Sequence, residues 1–374
     1  MRLALAEIRR RRGRWASITG AVAFIVFLVL VLAALSDGIF VGTTGALGSS
    51  DADALVYSTD GRRSLVRSEL PIAELPALAA IEGVADAGAL GVLLATAATD
   101  GAAFDIAVMG HLPGRVGEPT TLEDGRHPAA NESFVGLADV SLREEGIDLG
   151  SSILLTGSAQ PVEVIGFVTD ARYLLAGTLW VTMETWESLR FEIRPETIGR
   201  GSVAQALPFT VADGAAVDAV MANVDAAFGT TETVTTDEAM LSLPGVAQQA
   251  STFTAIIVVS FVVVGLVTGL FFALVTLEKR GQLAILKAIG SSNYMLLRGI
   301  LVQALIATVA GYVLGFGLSR LLALVLPPAV PVEFLAGTAR TLFLATVVMG
   351  AIGATLSFRR IIHIDPASAL GGEA

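Results

Sequence analysis

The sequence contains no cysteine and has few charged residues for its length. Without cysteine no disulfide can form, even in a compartment that would permit one. Only 16% of the 374 residues are charged, whereas 53% are hydrophobic. That is more apolar than a soluble domain of this size needs for its core, so the composition indicates an integral membrane protein.

The sequence also lacks the motifs of common catalytic and metal sites. His111, His127 and His363 are scattered, and no two of them lie four residues apart, so no H-x-x-x-H zinc pattern is present. No G-x-S-x-G sequence occurs, and neither lysine follows a glycine, which excludes a Walker A loop. We therefore expect no enzyme activity, and a separate subunit must bind any ATP that the protein uses.

Long runs without charged residues or histidine are the main feature that is present. Each of four runs can cross a bilayer, which takes roughly 20 helical residues: residues 15–36, 239–277, 299–319 and 341–358. The second run is too long for one span, and Pro244 with Gly245 indicates that its first part lies outside the bilayer. A cleaved signal is the alternative for the first run, but no clean A-x-A cleavage site follows it. We predict four transmembrane helices, at residues 15–36, 252–277, 299–319 and 341–358.

The charge distribution predicts the orientation of these helices. Residues 1–14 contain six arginines and one acid, whereas residues 37–250 contain 30 acids and 10 bases. Short basic segments stay in the cytoplasm, and long domains translocate largely regardless of charge. We expect three segments to be cytoplasmic, including both termini: residues 1–14, 278–298 and 359–374. The domain at 37–250 and the loop at 320–340 are then outside.

The outer segment has the pattern of an α+β domain. Short apolar or alternating runs bounded by Gly, Pro or Asp predict strands at residues 54–58, 104–110, 152–157, 162–168 and 178–183. Apolar spacing of three and four residues predicts helices at residues 71–83, 138–146, 183–191 and 215–228. The excess of acids argues against nucleic acid or anionic lipid as a partner.

Two G-x-x-x-G spacings lie within the predicted spans, at Gly265 with Gly269 and at Gly311 with Gly315. Small residues one turn apart allow close helix packing, and contacts within one chain are favoured over a dimer contact. No acid or base lies inside any span. Because ion-coupled carriers normally need such residues, secondary transport is disfavoured.

The segment between the second and third spans has the pattern of a short amphipathic helix, residues 278–290. On a helical wheel its leucine and isoleucine side chains share one arc, with Gln282 the only polar member: Leu283, Ile285, Leu286 and Ile289. Lys287 lies on the opposite side. Gly290 ends the helix, and one of residues 291–293 caps the next. From periodicity alone, an interfacial loop and a docking helix for a partner remain open.

Residues 278–292, EKRGQLAILKAIGSS, together with Gln303 and the glycines of the third span, resemble the signature of MacB/FtsX-type ABC transporter permeases. The topology is similar too, with one span, a large outer domain and then three spans. Gln282 stands where most of that family has glutamate. This residue and residues 164–189 resemble the subgroup of haem-exporter HrtB and DevC-type permeases.

The resemblance implies a multi-pass protein of the prokaryotic cytoplasmic membrane, a homodimer that works with two copies of a separate ATPase. The ATPase would hold ATP and Mg²⁺, and this chain would bind no cofactor. The family's coupling helix, which docks on the ATPase, falls on Glu278, Lys279, Arg280, Gln282, Leu283, Ile285, Leu286, Lys287, Ile289 and Gly290. The expected function is export, or extraction from the outer leaflet, of an amphipathic substrate, with haem as one candidate.

One alternative function belongs to a different class. The chain would then be a transmembrane signalling protein that transmits movement to an outer partner such as a cell-wall hydrolase. Tyr312, Met349 and Met240 are residue types that bind haem iron, but such residues in apolar helices usually serve packing, and no haem ligand is assigned.

Overall fold

The computed structural model describes residues 12–99, 102–198, 201–278, 281, 285, 289–327 and 330–362. Contacts divide the chain into two compact units. The helical unit comprises Met1–Gly38 with Ala250–Ala374, and the α+β unit comprises Ile39–Gln249. These bounds of the second unit lie close to the predicted domain at 37–250.

The helices and strands of the described residues follow one another as α1 (Arg12–Gly48), β1 (Ala54–Ser58), β2 (Leu70–Pro71), α2 (Leu75–Ala79), β3 (Val84–Ala87), β4 (Leu90–Thr99), β5 (Ala102–His111), β6 (Leu122–Gly125), β7 (Val135–Asp139), β8 (Ser152–Leu155), β9 (Val162–Val168), β10 (Gly177–Thr182), α3 (Met183–Ile193), β11 (Val203–Ala204), β12 (Leu207–Val211), α4 (Val217–Phe228), β13 (Thr231–Thr235), α5 (Thr236–Ser242), α6 (Val246–Glu278), α7 (Asn293–Ala323) and α8 (Ala336–Ile362). Short 3₁₀ helices lie at Thr59–Gly61, Ile72–Glu74, Val140–Glu145 and Pro195–Thr197.

Four helices, α1, α6, α7 and α8, are long and apolar enough to cross a membrane, which confirms the predicted arrangement of one span followed by three. Each helix is longer than its predicted span. Helix α1 continues past Ser36 to Gly48, and the hydroxyls of Thr43 and Thr44 donate to carbonyls one turn earlier in it. The absence of charge thus located the apolar part of each helix and not its ends.

Glycines set the packing of α7 on α1. A Cβ atom on Gly311 would lie 2.7 Å from Cγ1 of Val22, and one on Gly315 would lie 2.8 Å from the carbonyl oxygen of Ala23. Only glycine permits so close an approach of the two backbones.

The second glycine pair has a different neighbour, helix α8. A Cβ atom on Gly265 would lie 2.8 Å from Cε of Met349, and one on Gly269 would lie 3.3 Å from the carbonyl oxygen of Gly353. Both glycine pairs therefore lie at contacts between helices of one chain.

The larger sheet of the α+β unit closes on itself. Its strand order is β6-β9-β7-β10-β5-β4-β8, and β8 pairs with β9 as well as with β4. The longest pairing is the antiparallel one between β4 and β5, from Leu90 opposite His111 to Thr99 opposite Ala102. A separate four-stranded sheet has the order β13-β1-β12-β3.

The ends of two long helices belong to the core of the α+β unit. Ala46 and Leu47, in the last turn of α1, and Val246, the first residue of α6, are buried in one apolar cluster with Tyr57 and Trp180. A second cluster surrounds Trp186 of α3. The sequence between α1 and α6 thus forms a domain whose core includes the last turn of α1 and the beginning of α6.

The predicted strands are confirmed to within two residues, and so are the predicted helices that became α3 and α4. Two other predicted helices were wrong. Residues 138–146 form the end of β7 and a 3₁₀ helix, and residues 71–83 form only a 3₁₀ turn and the short α2. Asp139 accepts a hydrogen bond from the backbone N–H of Ser141, and this local bond favours a tight turn over an α-helix.

Candidate functional site: the α6–α7 connection

The predicted coupling helix lies between α6 and α7, and the structure describes part of it. Six of its predicted residues lie outside the described residues: Lys279, Arg280, Gln282, Leu283, Leu286 and Lys287. Glu278 is the last residue of α6. Ile285, Ile289 and Gly290 are described. The docking role of the whole segment therefore stays a prediction.

Helical geometry is present at the end of this segment. The backbone N–H of Ile289 donates to the carbonyl of Ile285 over 3.0 Å, the four-residue spacing of an α-helix. Gly290 then has φ of +98°, a left-handed conformation that ends helices and that glycine adopts without strain.

The apolar side chains of this turn are exposed. Ile285 is 55% exposed and Ile289 is 79% exposed. Residues four apart lie on one face of a helix, so these two isoleucines form an uncovered apolar face. Contiguous exposed apolar side chains are one mark of an interaction surface.

Helix α7 begins directly after this turn. Ser292 is its N-cap and accepts a hydrogen bond from the backbone N–H of Met295 over 3.3 Å. Tyr294 is 74% exposed and Met295 is 64% exposed. We define the connection face as Ile285, Ile289, Tyr294 and Met295, the four large apolar side chains that are exposed among the described residues between 281 and 298. Tyr294 and Met295 were not among the predicted site residues, although they directly follow residues 291–293, where the cap of the next helix was expected.

The three residues considered as haem-iron ligands all take part in packing. The hydroxyl of Tyr312 donates to the carbonyl of Ala339 over 2.6 Å. Cε of Met349 lies against Gly265, and Met240 packs against the cluster that includes Leu47. Each of the three side chains therefore has a packing role within the described residues.

Two of the supposedly scattered histidines meet across Glu118. Nδ1 of His127 lies 3.0 Å and Nδ1 of His111 lies 3.8 Å from the same carboxylate oxygen of Glu118. Burial of His111 lowers its pKa to about 4. Within the described residues, no group of three or more His, Cys, Asp or Glu side chains is arranged to hold a metal ion. The histidines are therefore a feature of the fold of the α+β unit.

The architecture thus defines a multi-pass membrane protein with one large α+β domain and with exposed apolar side chains in the described part of the connection between its second and third spans. Residues 254–366, which contain this connection, match the family model of the FtsX-like permease C-terminal domain. This part of the protein is therefore similar to the C-terminal domain of FtsX-like permeases.

Individual relatives agree with this assignment. Over 112 residues the chain is 33% identical to the putative hemin transport system permease protein HrtB of Staphylococcus haemolyticus, an alignment that spans 30% of this chain and only 32% of that protein. Over 375 aligned residues it is 26% identical to an uncharacterized ABC transporter permease of Mycobacterium tuberculosis, with 99% of each chain covered.

Among solved structures, the periplasmic region of MacB from Actinobacillus actinomycetemcomitans aligns with a TM-score of 0.39 at 14% identity. This alignment covers 53% of the present chain and 95% of that one.

Proposed function

We propose that this protein is the permease subunit of an ABC transporter that uses ATP hydrolysis by a separate ATPase to move an amphipathic substrate out of the cell or out of the outer leaflet. The connection face is the observation that carries the proposal. It is an exposed apolar surface within the FtsX-like domain, and the chain itself has no Walker A loop.

The location of the connection supports its role as the docking site for the ATPase. The segment at 278–298 is basic, which by the positive-inside rule is the mark of a cytoplasmic loop. A cytoplasmic partner can therefore reach Ile285, Ile289, Tyr294 and Met295. Large apolar and aromatic side chains at the centre of an interface usually dominate its binding energy.

The assembly that we propose contains two copies of this chain and two copies of the ATPase. ATP with Mg²⁺ would be held by the ATPase, because this chain lacks the loop that binds phosphates. Haem is one candidate substrate, since a relative over part of the chain is named as a putative hemin transport permease.

The test is a reconstituted system that contains the permease, its ATPase and one cargo at a time. The permease and ATPase would be placed in lipid vesicles, with ATP hydrolysis and cargo release as the two readouts. We expect an amphipathic cargo, with haem tested first, to stimulate hydrolysis and to be released only with ATP. An ATPase variant without hydrolytic activity is the matched control.

Two results together would contradict the transport function. The first is a hydrolysis rate that no tested cargo changes. The second is deletion of the gene with no increase in sensitivity of the cells to any of these compounds.

A second candidate function, transmission of movement to an outer partner, has its own supporting observation. Helices α1 and α6 are continuous, and their ends at Ala46, Leu47 and Val246 are buried in the core of the α+β unit. A helix that is both a membrane span and part of a domain core is suited to carry movement into that domain. Recovery of a stoichiometric outer partner, whose activity depends on the ATPase, would favour this function over transport.

A further inference from the structure

The α+β unit contains a cavity whose charge is opposite to that of the domain. Residues 37–250 contain 30 acids and 10 arginines and have no lysine. Three of those arginines, Arg67, Arg190 and Arg194, line one cavity of about 340 Å³. A volume of that size is within the range of small-ligand pockets. The acidic composition of the domain does not explain why three of its ten arginines line one cavity.

The wall of the cavity contains a buried guanidinium in a fixed position. Arg190 is only 3% exposed. Its Nη2 donates to Oε1 of Glu69 over 2.8 Å, and its guanidinium carbon lies 5.4 Å from the centre of the Trp186 ring. A guanidinium held by both a carboxylate and an aromatic face loses little further entropy when a ligand binds.

A buried amide provides a second donor. Gln205 lines the cavity and is 5% exposed, and its Oε1 accepts a hydrogen bond from the backbone N–H of Val92 over 2.9 Å. That bond fixes the orientation of the amide. Its nitrogen donates to no protein acceptor in the described part of the chain. Because Gln205 lines the cavity, this nitrogen can donate to an acceptor atom of a bound ligand.

The rim of the cavity adds further positive charge, from Arg67 and Arg194. Neither Arg67 nor Arg194 forms an ion pair with a described residue. Of the two acids in the lining, Glu69 bonds Arg190, and Glu196 is exposed. The lining therefore carries three guanidinium groups against two carboxylates.

We propose that this cavity binds an anionic group, a carboxylate or a phosphate. Arginine pairs with both groups through parallel N–H···O bonds, and the amide nitrogen of Gln205 adds a further donor. The ligand would bind the arginines of the rim and the amide of the wall at once. This site is independent of the transport function, because it depends only on the α+β unit.

The anion can come from a free small molecule or from the head group of a lipid-like molecule, and the probes distinguish the two. Binding would be measured by calorimetry on the full-length protein in nanodiscs of zwitterionic lipid at constant ionic strength. The probes are inorganic phosphate, succinate, and a short-chain phosphatidic acid below its micelle concentration. Phosphatidic acid that binds at least tenfold more tightly than phosphate would identify a head group, whereas equal affinity would identify a free anion.

Substitutions at the rim test whether this cavity is the site, because Arg190 is too buried to replace safely. We expect Arg67→Gln and Arg194→Gln each to weaken binding about tenfold or more, the usual effect of losing one charged hydrogen bond. Arg194→Lys keeps the charge but loses the paired donors, so we expect it to recover only part of the affinity. The control is Arg62→Gln, which removes the same charge from an exposed arginine that does not line the cavity.

Two results would overturn the proposal. One is an equal loss of affinity in Arg62→Gln, which would show general attraction of anions to arginine. The other is no binding of any of the three probes at millimolar concentration by the unaltered protein. Neither result depends on an ATPase or a cargo, so the transport function is tested separately.

Discussion

Ile289 donates its backbone N–H to the carbonyl of Ile285 over 3.0 Å, and both side chains are more than half exposed. Their hydrogen bond has the spacing of an α-helix, so the two exposed side chains lie on one apolar face. This apolar face lies next to the exposed Tyr294 and Met295. Exposing it to water costs free energy, and a partner that covers it would remove that cost. This relationship leads directly to the first prediction.

We expect Ile289→Asp to uncouple the ATPase from the permease. A carboxylate at the centre of an apolar interface would be buried without a partner, so association with the ATPase should weaken about tenfold or more. Co-purification of the ATPase and stimulation of its hydrolysis are the measurements. The amount of folded protein in the membrane should remain unchanged, because the Ile289 side chain is 79% exposed.

The matched control for Ile289→Asp is Leu324→Asp. Leu324 is 82% exposed and is the C-cap residue at the other end of α7. The same charge on an equally exposed aliphatic residue should leave association with the ATPase intact. Equal losses in the two variants would contradict docking at the connection face.

We expect the cap of α7 to depend on one serine of an adjacent pair. Ser292→Ala removes the acceptor for the backbone N–H of Met295, and loss of such a cap costs about 1 kcal/mol. Ser291→Ala, one residue earlier, should change stability by less than about 0.5 kcal/mol. Thermal unfolding of the two purified variants in detergent measures the difference, and equal midpoints would show that Ser292 is not the functional cap.

The sequence predicted the spans and the connection because each depends on local pattern. A run without charge is enough to place a membrane helix, and Gly290 with residues 291–293 is enough to place a break between two helices. Which residue caps α7 depends on backbone geometry, so Ser292 could not be chosen over Ser291 in advance.

Features that join distant segments could not be predicted in this way. Strand β4, LGVLLATAAT, contains residues with weak strand preference, and its conformation depends on pairing along its whole length with β5. The arginine-lined cavity combines Arg67, Arg194 and Gln205 from three separate parts of the chain. The contact of His111 with Glu118 also depends on the fold, since no motif spacing marks it.

We expect Gly315→Ala to loosen the packing of α7 on α1. The added Cβ atom would lie 2.8 Å from the carbonyl oxygen of Ala23 and 3.0 Å from the backbone nitrogen of Phe27. Backbone atoms cannot move aside as a side chain can, so the cost should be about 1–3 kcal/mol. Thermal unfolding in detergent is the measurement.

Gly317 provides the control for Gly315, because it lies in the same helix and nothing comes within 4 Å of a Cβ atom placed there. Gly317→Ala should leave stability unchanged or raise it by about 0.5–1 kcal/mol, the ordinary gain of alanine over glycine in a helix. A greater loss of stability in Gly317→Ala than in Gly315→Ala would contradict the contact between α7 and α1.

We expect the stability of the α+β unit to fall in acid because of His111. Burial lowers its pKa from 6.5 to about 4 in the folded protein, so between these values the unfolded state binds more protons than the folded state. The contribution of neutral His111 to the free energy of unfolding is therefore complete above pH 6.5 and is lost as the pH falls toward 4. The linked change is on the order of 3 kcal/mol. The titratable groups that face His111 are Glu118, whose carboxylate oxygen lies 3.8 Å from Nδ1 of His111, and His127.

His111→Phe tests this pH dependence because phenylalanine keeps a ring beside Trp180, whose ring centre lies 6.1 Å from that of His111, and removes the titrating group. Unfolding of the full-length protein would be followed at pH 8 and at pH 4.5. At pH 8, the difference in stability between the variant and the original protein measures the effect of the new ring on packing. Any additional difference in stability at pH 4.5 is due to protonation of His111. The variant should lose less stability than the original protein between the two pH values. An equal loss would show that other groups cause the acid sensitivity.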